Sequence, residues 1–114
     1  QVEQLIEFAR HQFELGERQK DGATNREHLE SIWRQKGVKP VELCGPECPP
    51  SMIGHWQWFV RLNGRRQHGM NGPMPLTFTE IRNWKELMDV ELTPFDVEVI
   101  IALDDVALNQ KEGK

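Results

Sequence analysis

The sequence predicts an all-α protein, a small single-domain bundle of about five helices joined by two loops rich in proline and glycine. Apolar residues recur at every third or fourth position through most of the chain, as on one face of a helix. Capping sequences precede several of these stretches, and proline and glycine concentrate in residues 38–50 and 65–76. A chain of 114 residues has the length of one domain, so we expect a single unit over residues 1–114.

The first third of the chain predicts a helical hairpin over residues 1–37. The apolar face of its first helix is formed by Val2, Leu5, Ile6, Ala9 and Phe13. The second helix begins at a capping box, in which Thr24 and Glu27 each accept a hydrogen bond from the other's backbone N–H. Gly37 ends this helix, so a short connection joins two antiparallel helices.

The middle of the chain predicts a loop, a helix and a second loop. Residues 38–50 hold four prolines, which exclude a continuous helix there. Ser51 is a suitable N-cap for a third helix that ends near Asn63. The apolar face of this helix is formed by Met52, Ile53, Trp56, Phe59 and Val60, and is widened by Trp58 and Leu62. Residues 65–76 then form the second loop.

Two further helices are predicted in the last third of the chain. Thr77 and Glu80 form a second capping box, and Thr93 caps a final helix that begins with proline. The inward side chains of the first of these helices are predicted to be Ile81, Trp84, Leu87 and Met88. Those of the final helix are predicted to be Phe95, Val99, Ala102, Leu103 and Val106. We expect both helices to pack against each other and to complete a three-helix part over residues 51–108.

The charge distribution argues against binding to duplex nucleic acid. The net charge is −4, and such proteins usually carry a basic excess. Residues 61–76 contain three arginines and no acid, whereas residues 77–114 hold nine acidic and four basic residues. One end of the domain is therefore predicted to be basic and the other acidic.

No membrane segment or signal peptide is predicted. The longest apolar run, Val99 to Leu103, is too short to cross a bilayer, and the opening residues lack a signal-peptide pattern. Two cysteines are too few for a secreted disulfide scaffold, so the expected compartment is the cytoplasm. The chain begins with Gln1 and not with Met, which suggests a segment of a longer product.

No catalytic or cofactor site is predicted. Cys44 and Cys48 have a spacing unusual for zinc, although His55 and His68 follow, and we expect no bound metal. The chain lacks the nucleophile, metalloprotease and phosphate-loop motifs of common enzymes. The carboxylates of Asp104 and Asp105 are expected to be solvated on a helix face. The sequence therefore predicts a protein that is not an enzyme and has no cofactor.

One basic cluster leaves two kinds of partner open. Arg61, Arg65 and Arg66 follow Trp56 and Trp58 closely, and aromatic side chains interleaved with basic ones can bind single-stranded nucleic acid. The alternative function is therefore that of a small nucleic-acid-binding or regulatory protein. Three positive charges are few for phosphate binding, so a protein partner is preferred.

A resemblance to a known family rests on the second half of the chain. It is carried by the segments Gly72-Pro73-Met74-Pro75-Leu76-Thr77, Glu80-Ile81-Arg82-Asn83-Trp84, Thr93-Pro94-Phe95-Asp96-Val97-Glu98 and Ala102-Leu103-Asp104. Their order and spacing resemble the C-terminal part of tail assembly chaperones of long-tailed bacteriophages, over about residues 55–108.

This resemblance implies a function in the host cytoplasm during phage assembly. Such chaperones bind the long helical tape measure protein, keep it soluble and help to recruit tail tube subunits, without catalysis. We expect the client to lie in a groove between the helix from Ser51 to Asn63 and the loop that ends at Leu76. The predicted partner-binding residues are Trp58, Arg61, Arg65, Arg66, Met70 and Met74.

Overall fold

The structure, a computed structural model, describes residues 1–112 and confirms the helical fold class. It is a small domain that is 63% helical. The described part contains five α-helices: α1 (Val2–Leu15), α2 (Asn25–Lys36), α3 (Ile53–Asn63), α4 (Phe78–Leu87) and α5 (Pro94–Glu112). It also contains two 3-10 turns, Val41–Leu43 and Pro50–Met52, and two short strands, β1 (His68–Gly69) and β2 (Gly72–Pro73).

The two predicted capping boxes are confirmed as the starts of α2 and α4. The backbone N–H of Thr24 donates to Glu27 Oε1 (2.7 Å), and the backbone N–H of Glu27 donates to Thr24 Oγ1 (3.1 Å). Thr77 and Glu80 exchange the same two bonds at 2.9 and 3.1 Å. Gly37 ends α2 with a φ of 75°, a conformation that glycine adopts without strain. These boundaries follow from sequence because all the groups involved lie within a few residues of each other.

Ser51 does not cap α3, so that prediction is wrong. The prolines before it fix φ near the value of a 3-10 turn, and the chain enters α3 through the turn Pro50–Met52. The residue that precedes α3 is Met52, which makes no side-chain capping bond. The hydroxyl of Ser51 instead donates to Gln1 Oε1. Ser51 therefore connects the start of α3 to the start of the chain.

The second predicted loop contains a small β-hairpin. Strands β1 and β2 are antiparallel, with His68 opposite Pro73 and Gly69 opposite Gly72. Gly72 has a φ of 107°, which only glycine tolerates well, and this permits the tight reversal. The sequence pattern missed the hairpin because each strand is only two residues long.

Helices α1, α3 and α5 enclose the core, and α5 packs mainly on α1 and then on α3. The buried apolar residues of this cluster are Leu5, Ala9, Met52, Phe59, Leu62, Leu76, Ile81, Val99, Ile100 and Leu103. The predicted core between α4 and α5 is wrong in three of its members, since Leu87 is 84% exposed, Phe95 54% exposed and Met88 46% exposed. Trp84 is only half-buried against the cluster. The long apolar stripe of α5 is thus covered mainly by α1.

Helix α2 lies at the edge of this core. No residue of α2 is fully buried, and Ile32 and Trp33 are exposed. Its contacts are with α1 and with the turn Val41–Leu43. The predicted second helix is therefore present, but its apolar residues remain partly open to solvent.

A buried ion pair holds the hairpin against α5 and corrects the expectation that Asp104 is solvated. Asp104 is only 2% exposed, accepts a hydrogen bond from Arg66 Nη2 and accepts another from the backbone N–H of Leu76 (3.0 Å). Arg66 also donates to the carbonyl of Met74 (2.7 Å) and to Asn63 Oδ1 (2.9 Å). A buried carboxylate requires such partners, and the counter-charge lies 38 residues away in sequence. Asp105 is exposed as expected.

Candidate partner-binding groove

An aromatic groove lies between α3 and α4. It has a volume of about 760 Å³ and is lined by Trp56, Gln57, Trp58, Val60, Arg61, Trp84, Met88 and Val90. Three of the four tryptophans in the chain therefore meet at one surface. Tryptophan presents a large apolar area at low cost in side-chain entropy, which suits it to binding proteins.

Helical periodicity places these side chains together. Trp56 and Val60 are four residues apart in α3, and Trp58 and Arg61 are three apart, so each pair shares a face of the helix. Trp84 lies in α4, and Met88 follows it by one turn at the end of that helix. The capping box at Thr77 fixes where α4 begins and hence where Trp84 lies.

The groove has a rigid aromatic base. Phe8 of α1 meets Trp56 edge to face, with ring centroids 5.1 Å apart. Phe13 and Phe59 lie 5.8 and 6.1 Å from the same indole ring. Such contacts hold Trp56 in one orientation from behind and leave the side chains nearer to solvent free to contact a partner.

A hydrogen bond joins α3 to α5 beside the groove. His55 Nε2 lies 2.6 Å from Asp96 Oδ1, both side chains are largely buried, and the His55 ring stacks edge to face on Trp58 (5.3 Å). Asp96 also exchanges hydrogen bonds with Thr93, which confirms the predicted cap of α5. Burial by itself raises the pKa of Asp96, but the hydrogen bonds from the Thr93 backbone and from His55 outweigh it and lower the pKa. The carboxylate is thereby held in its charged form next to His55.

The structure brings together two of the six predicted site residues. Trp58 and Arg61 line the groove. Arg65 is exposed just beyond α3, Met70 is fully exposed at the tip of the hairpin, and Met74 is exposed beside Gly69. The sixth residue, Arg66, is buried and forms the ion pair with Asp104.

A comparison with protein families identifies the chain. A model of the family described as phage tail assembly chaperone matches residues 32–109. The chain belongs to this family. The matched range runs from the second half of α2 into α5 and includes every residue that lines the groove. No curated protein and no solved structure matches the chain.

The family match confirms the resemblance found over the second half of the chain and extends it to residue 32. It leaves out α1, although α1 supplies the main contact of α5. In this phage tail assembly chaperone the groove thus belongs to the part of the chain that carries the family pattern, and α1 supports it from behind.

Sequence reasoning missed six of the eight residues that line the groove, which are Trp56, Gln57, Val60, Trp84, Met88 and Val90. Trp56, Val60, Trp84 and Met88 were expected on apolar faces directed at the core. Their apolar character fits a buried face and an exposed groove equally well, because periodicity shows which side chains share a face but not what covers them.

The two cysteines of this family member lie near backbone carbonyl groups. Cys44 Sγ lies 3.8 Å from the carbonyl of Pro40, and Cys48 Sγ lies 3.6 Å from that of Pro49. Burial raises the pKa of the Cys48 thiol. Among the described residues, no group of three or more His, Cys, Asp or Glu side chains is placed to hold a metal.

No helix within residues 1–112 combines the length and apolar character needed to cross a membrane.

The basic cluster is smaller on the surface than in sequence. Arg61 and Arg65 are exposed, but the guanidinium group of Arg66 donates hydrogen bonds within the protein. Two exposed arginines give little counter-charge for a phosphate backbone, whose binding strengthens with each neutralised phosphate. The aromatic groove is accordingly the stronger candidate for the binding surface.

Proposed function

We propose that this chaperone binds an amphipathic helix of the phage tape measure protein in the groove between α3 and α4. The meeting of Trp56, Trp58 and Trp84 at one open surface carries this proposal. An amphipathic helix binds a partner by placing its apolar face in a groove, and a tape measure protein is long and helical. Covering that face keeps the client soluble in the host cytoplasm, and neither catalysis nor a cofactor is needed.

The groove offers both adaptable and orienting contacts. Met88 is exposed at one edge, and its flexible thioether side chain adapts to varied apolar surfaces. Arg61 is exposed at the opposite helix and attracts acidic residues on the polar side of the client helix. Rim charges of this kind contribute to orientation and association rate more than to affinity. Apolar burial by the tryptophans therefore supplies most of the binding free energy.

The hairpin provides a second contact for the assembling tail. Met70 and Met74 are exposed on it, and Arg65 is exposed where it leaves α3. Arg66 contributes indirectly, because its bond to the carbonyl of Met74 fixes the position of the hairpin. We assign recruitment of tail tube subunits to this hairpin and client binding to the groove.

Co-expression with the tape measure protein tests the proposal. The client should become soluble and co-elute with the chaperone in gel filtration. The proposal fails if the client stays equally insoluble with and without the chaperone, and no complex survives gel filtration.

Two substitutions at exposed positions of the groove locate the binding surface. Val60→Lys combined with Met88→Lys places two charges in the groove at positions that are not part of the core. Loss of an interface hot spot costs at least about 2 kcal/mol, so affinity should fall about 30-fold or more. The matched control is Phe78→Lys, an exposed apolar residue of α4 that does not line the groove. Equal binding by the double variant and the control would exclude the groove.

Salt separates this proposal from nucleic-acid binding. Apolar binding of a client helix changes little with added salt, whereas phosphate binding weakens steeply. A steep loss of affinity between low and high salt would favour the alternative function through Arg61 and Arg65.

A further inference from the structure

A histidine of α1 holds the proline-rich loop between α2 and α3, which we name the proline loop (residues 38–50). The ring nitrogen Nε2 of His11 lies 2.8 Å from the backbone carbonyl oxygen of Glu42. Because a carbonyl oxygen can only accept a hydrogen bond, Nε2 carries the proton and donates it. His11 lies before the family-matched range, whereas the proline loop lies within it. This bond therefore ties α1 to the part of the chain that carries the family pattern.

The second ring nitrogen of His11 is buried. No hydrogen-bond partner for this atom, Nδ1, is found among residues 1–112. The backbone of Gly45 lies against the ring so closely that a Cβ atom at position 45 would stand 2.2 Å from both Nδ1 and Cε1. A residue without a side chain is therefore required there while the loop is closed. The closed arrangement suits a ring whose Nδ1 carries a lone pair and no proton.

The charged groups around His11 do not favour one protonation state of its ring. The carboxylates that line the two cavities beside the ring belong to Glu14, Glu42 and Glu47. The basic side chains that line them are Arg26, His28 and Lys39, and the thiols are those of Cys44 and Cys48. The ion pairs of the described residues do not include His11. Acidic and basic neighbours thus offset each other, and the surroundings of Nδ1 determine which form of the ring fits.

We propose that uptake of a proton by His11 releases the proline loop from α1. The protonated ring has a second N–H, at Nδ1, which is directed at Gly45 and finds no acceptor within the described residues. A buried donor without an acceptor and a positive charge without a counter-charge both cost free energy. In the open loop water accepts from this N–H, so protonation shifts the equilibrium towards release. The closed loop is therefore stable at higher pH and is lost as the pH falls.

Release of the proline loop uncovers the outer side of α1. A cavity of about 530 Å³ lies between α1, α2 and the loop, and a second cavity of about 520 Å³ lies between α1 and the loop. Leu15 lines both cavities, and Phe8 lines the second. Phe8 also packs against Trp56 at the base of the groove. An open loop therefore exposes apolar surface of α1 next to the aromatic base of the groove.

NMR spectroscopy of the chaperone alone, over a series from about pH 8 to about pH 4, tests this release. The Cε1 signal of His11 reports proton uptake, and nuclear Overhauser contacts between the ring and Gly45 Hα report the closed loop. These contacts should be present at high pH and disappear in step with proton uptake. The signals of residues 41–48 should move at the same time to positions typical of an unstructured chain. His28→Gln is the matched control, because His28 lines the same cavity and pairs with Asp21, and it should leave this response unchanged.

Two variants of His11 separate proton uptake from the hydrogen bond. His11→Gln keeps an N–H donor for the Glu42 carbonyl but takes up no proton, so its loop signals should not change with pH. His11→Ala lacks the donor and should show the released loop at every pH. The proposal is refuted if the contacts to Gly45 persist in the protonated protein or if the ring stays neutral until the protein unfolds. It is also refuted if the loop of His11→Gln responds to acid like that of the wild type. The client is absent from these measurements, so their failure leaves the groove proposal intact.

Discussion

Replacement of Arg66 by alanine should destabilise the protein strongly. The side chain of Arg66 is almost fully buried, and it bonds to Asp104, to the Met74 carbonyl and to Asn63. It therefore connects the end of α3, the hairpin and the middle of α5. After the substitution, the carboxylate of Asp104 retains only the N–H of Leu76 as a partner in a site that is closed to water.

The expected cost follows from that burial. Removal of one partner from a buried ion pair costs about 3–5 kcal/mol, because an uncompensated charge remains. A domain of this size has a total stability of about 5–15 kcal/mol, so a large fraction would be lost. At about 4 °C or more per kcal/mol, Tm should fall by at least about 12 °C. The neighbouring Arg65 is exposed, and Arg65→Ala should change stability by less than about 0.5 kcal/mol.

Urea unfolding followed by tryptophan fluorescence measures these differences. A double variant, Arg66→Met with Asp104→Leu, removes both charges and should recover much of the loss, since an apolar replacement of a buried pair is often neutral. The reasoning is refuted if Arg66→Ala unfolds at the same urea concentration as Arg65→Ala. It is also refuted if the double variant is no more stable than Arg66→Ala, because the cost would then not come from a buried unpaired charge.

Three further predictions concern stability and metal content. The lowered pKa of Asp96 stabilises the fold above the ordinary pKa of about 3.9, and this contribution disappears as the pH falls through the lower folded value. When the pH is lowered below about 3.9, the free energy of unfolding should therefore fall less for Asp96→Asn than for the wild type, as urea titrations will show. Trp84→Ala should lower the free energy of unfolding by less than the roughly 3–5 kcal/mol that loss of a fully buried aromatic side chain costs. Leu87→Ala should leave it almost unchanged, as thermal melts will show. Elemental analysis should find no stoichiometric zinc at Cys44 and Cys48, and a chelator should leave Tm unchanged.

Local features of this fold were predictable, and long-range ones were not. The starts of α2 and α4 follow from capping boxes, whose partners are three residues apart. The burial of Asp104 depends on an arginine 38 residues away, which no local pattern reveals. Periodicity likewise identified the apolar stripe of α5. We expected this stripe to pack on α4, whereas α1 covers most of it.

The groove was predictable only in part for a related reason. Trp58 and Arg61 were expected at the partner surface because they lie in an aromatic and basic segment. Trp84 was expected in the core, since an apolar residue at helical spacing is most often buried. Its real position follows from the long-range packing of α4, whose Ile81 is buried in the common core. Side-chain chemistry was therefore predicted better than exposure.

The pairing of α1 with α5 has a consequence for synthesis on the ribosome. The two helices, Val2–Leu15 and Pro94–Glu112, stand near opposite ends of the described chain, so their contacts have the greatest sequence separation in the fold. Contacts of high separation form late and slow the folding of a domain. The apolar face of α1 is translated well before α5 and stays uncovered until α5 has followed. This phage tail assembly chaperone thus passes through a period, while it is being made, in which α1 exposes an apolar face that is open to aggregation.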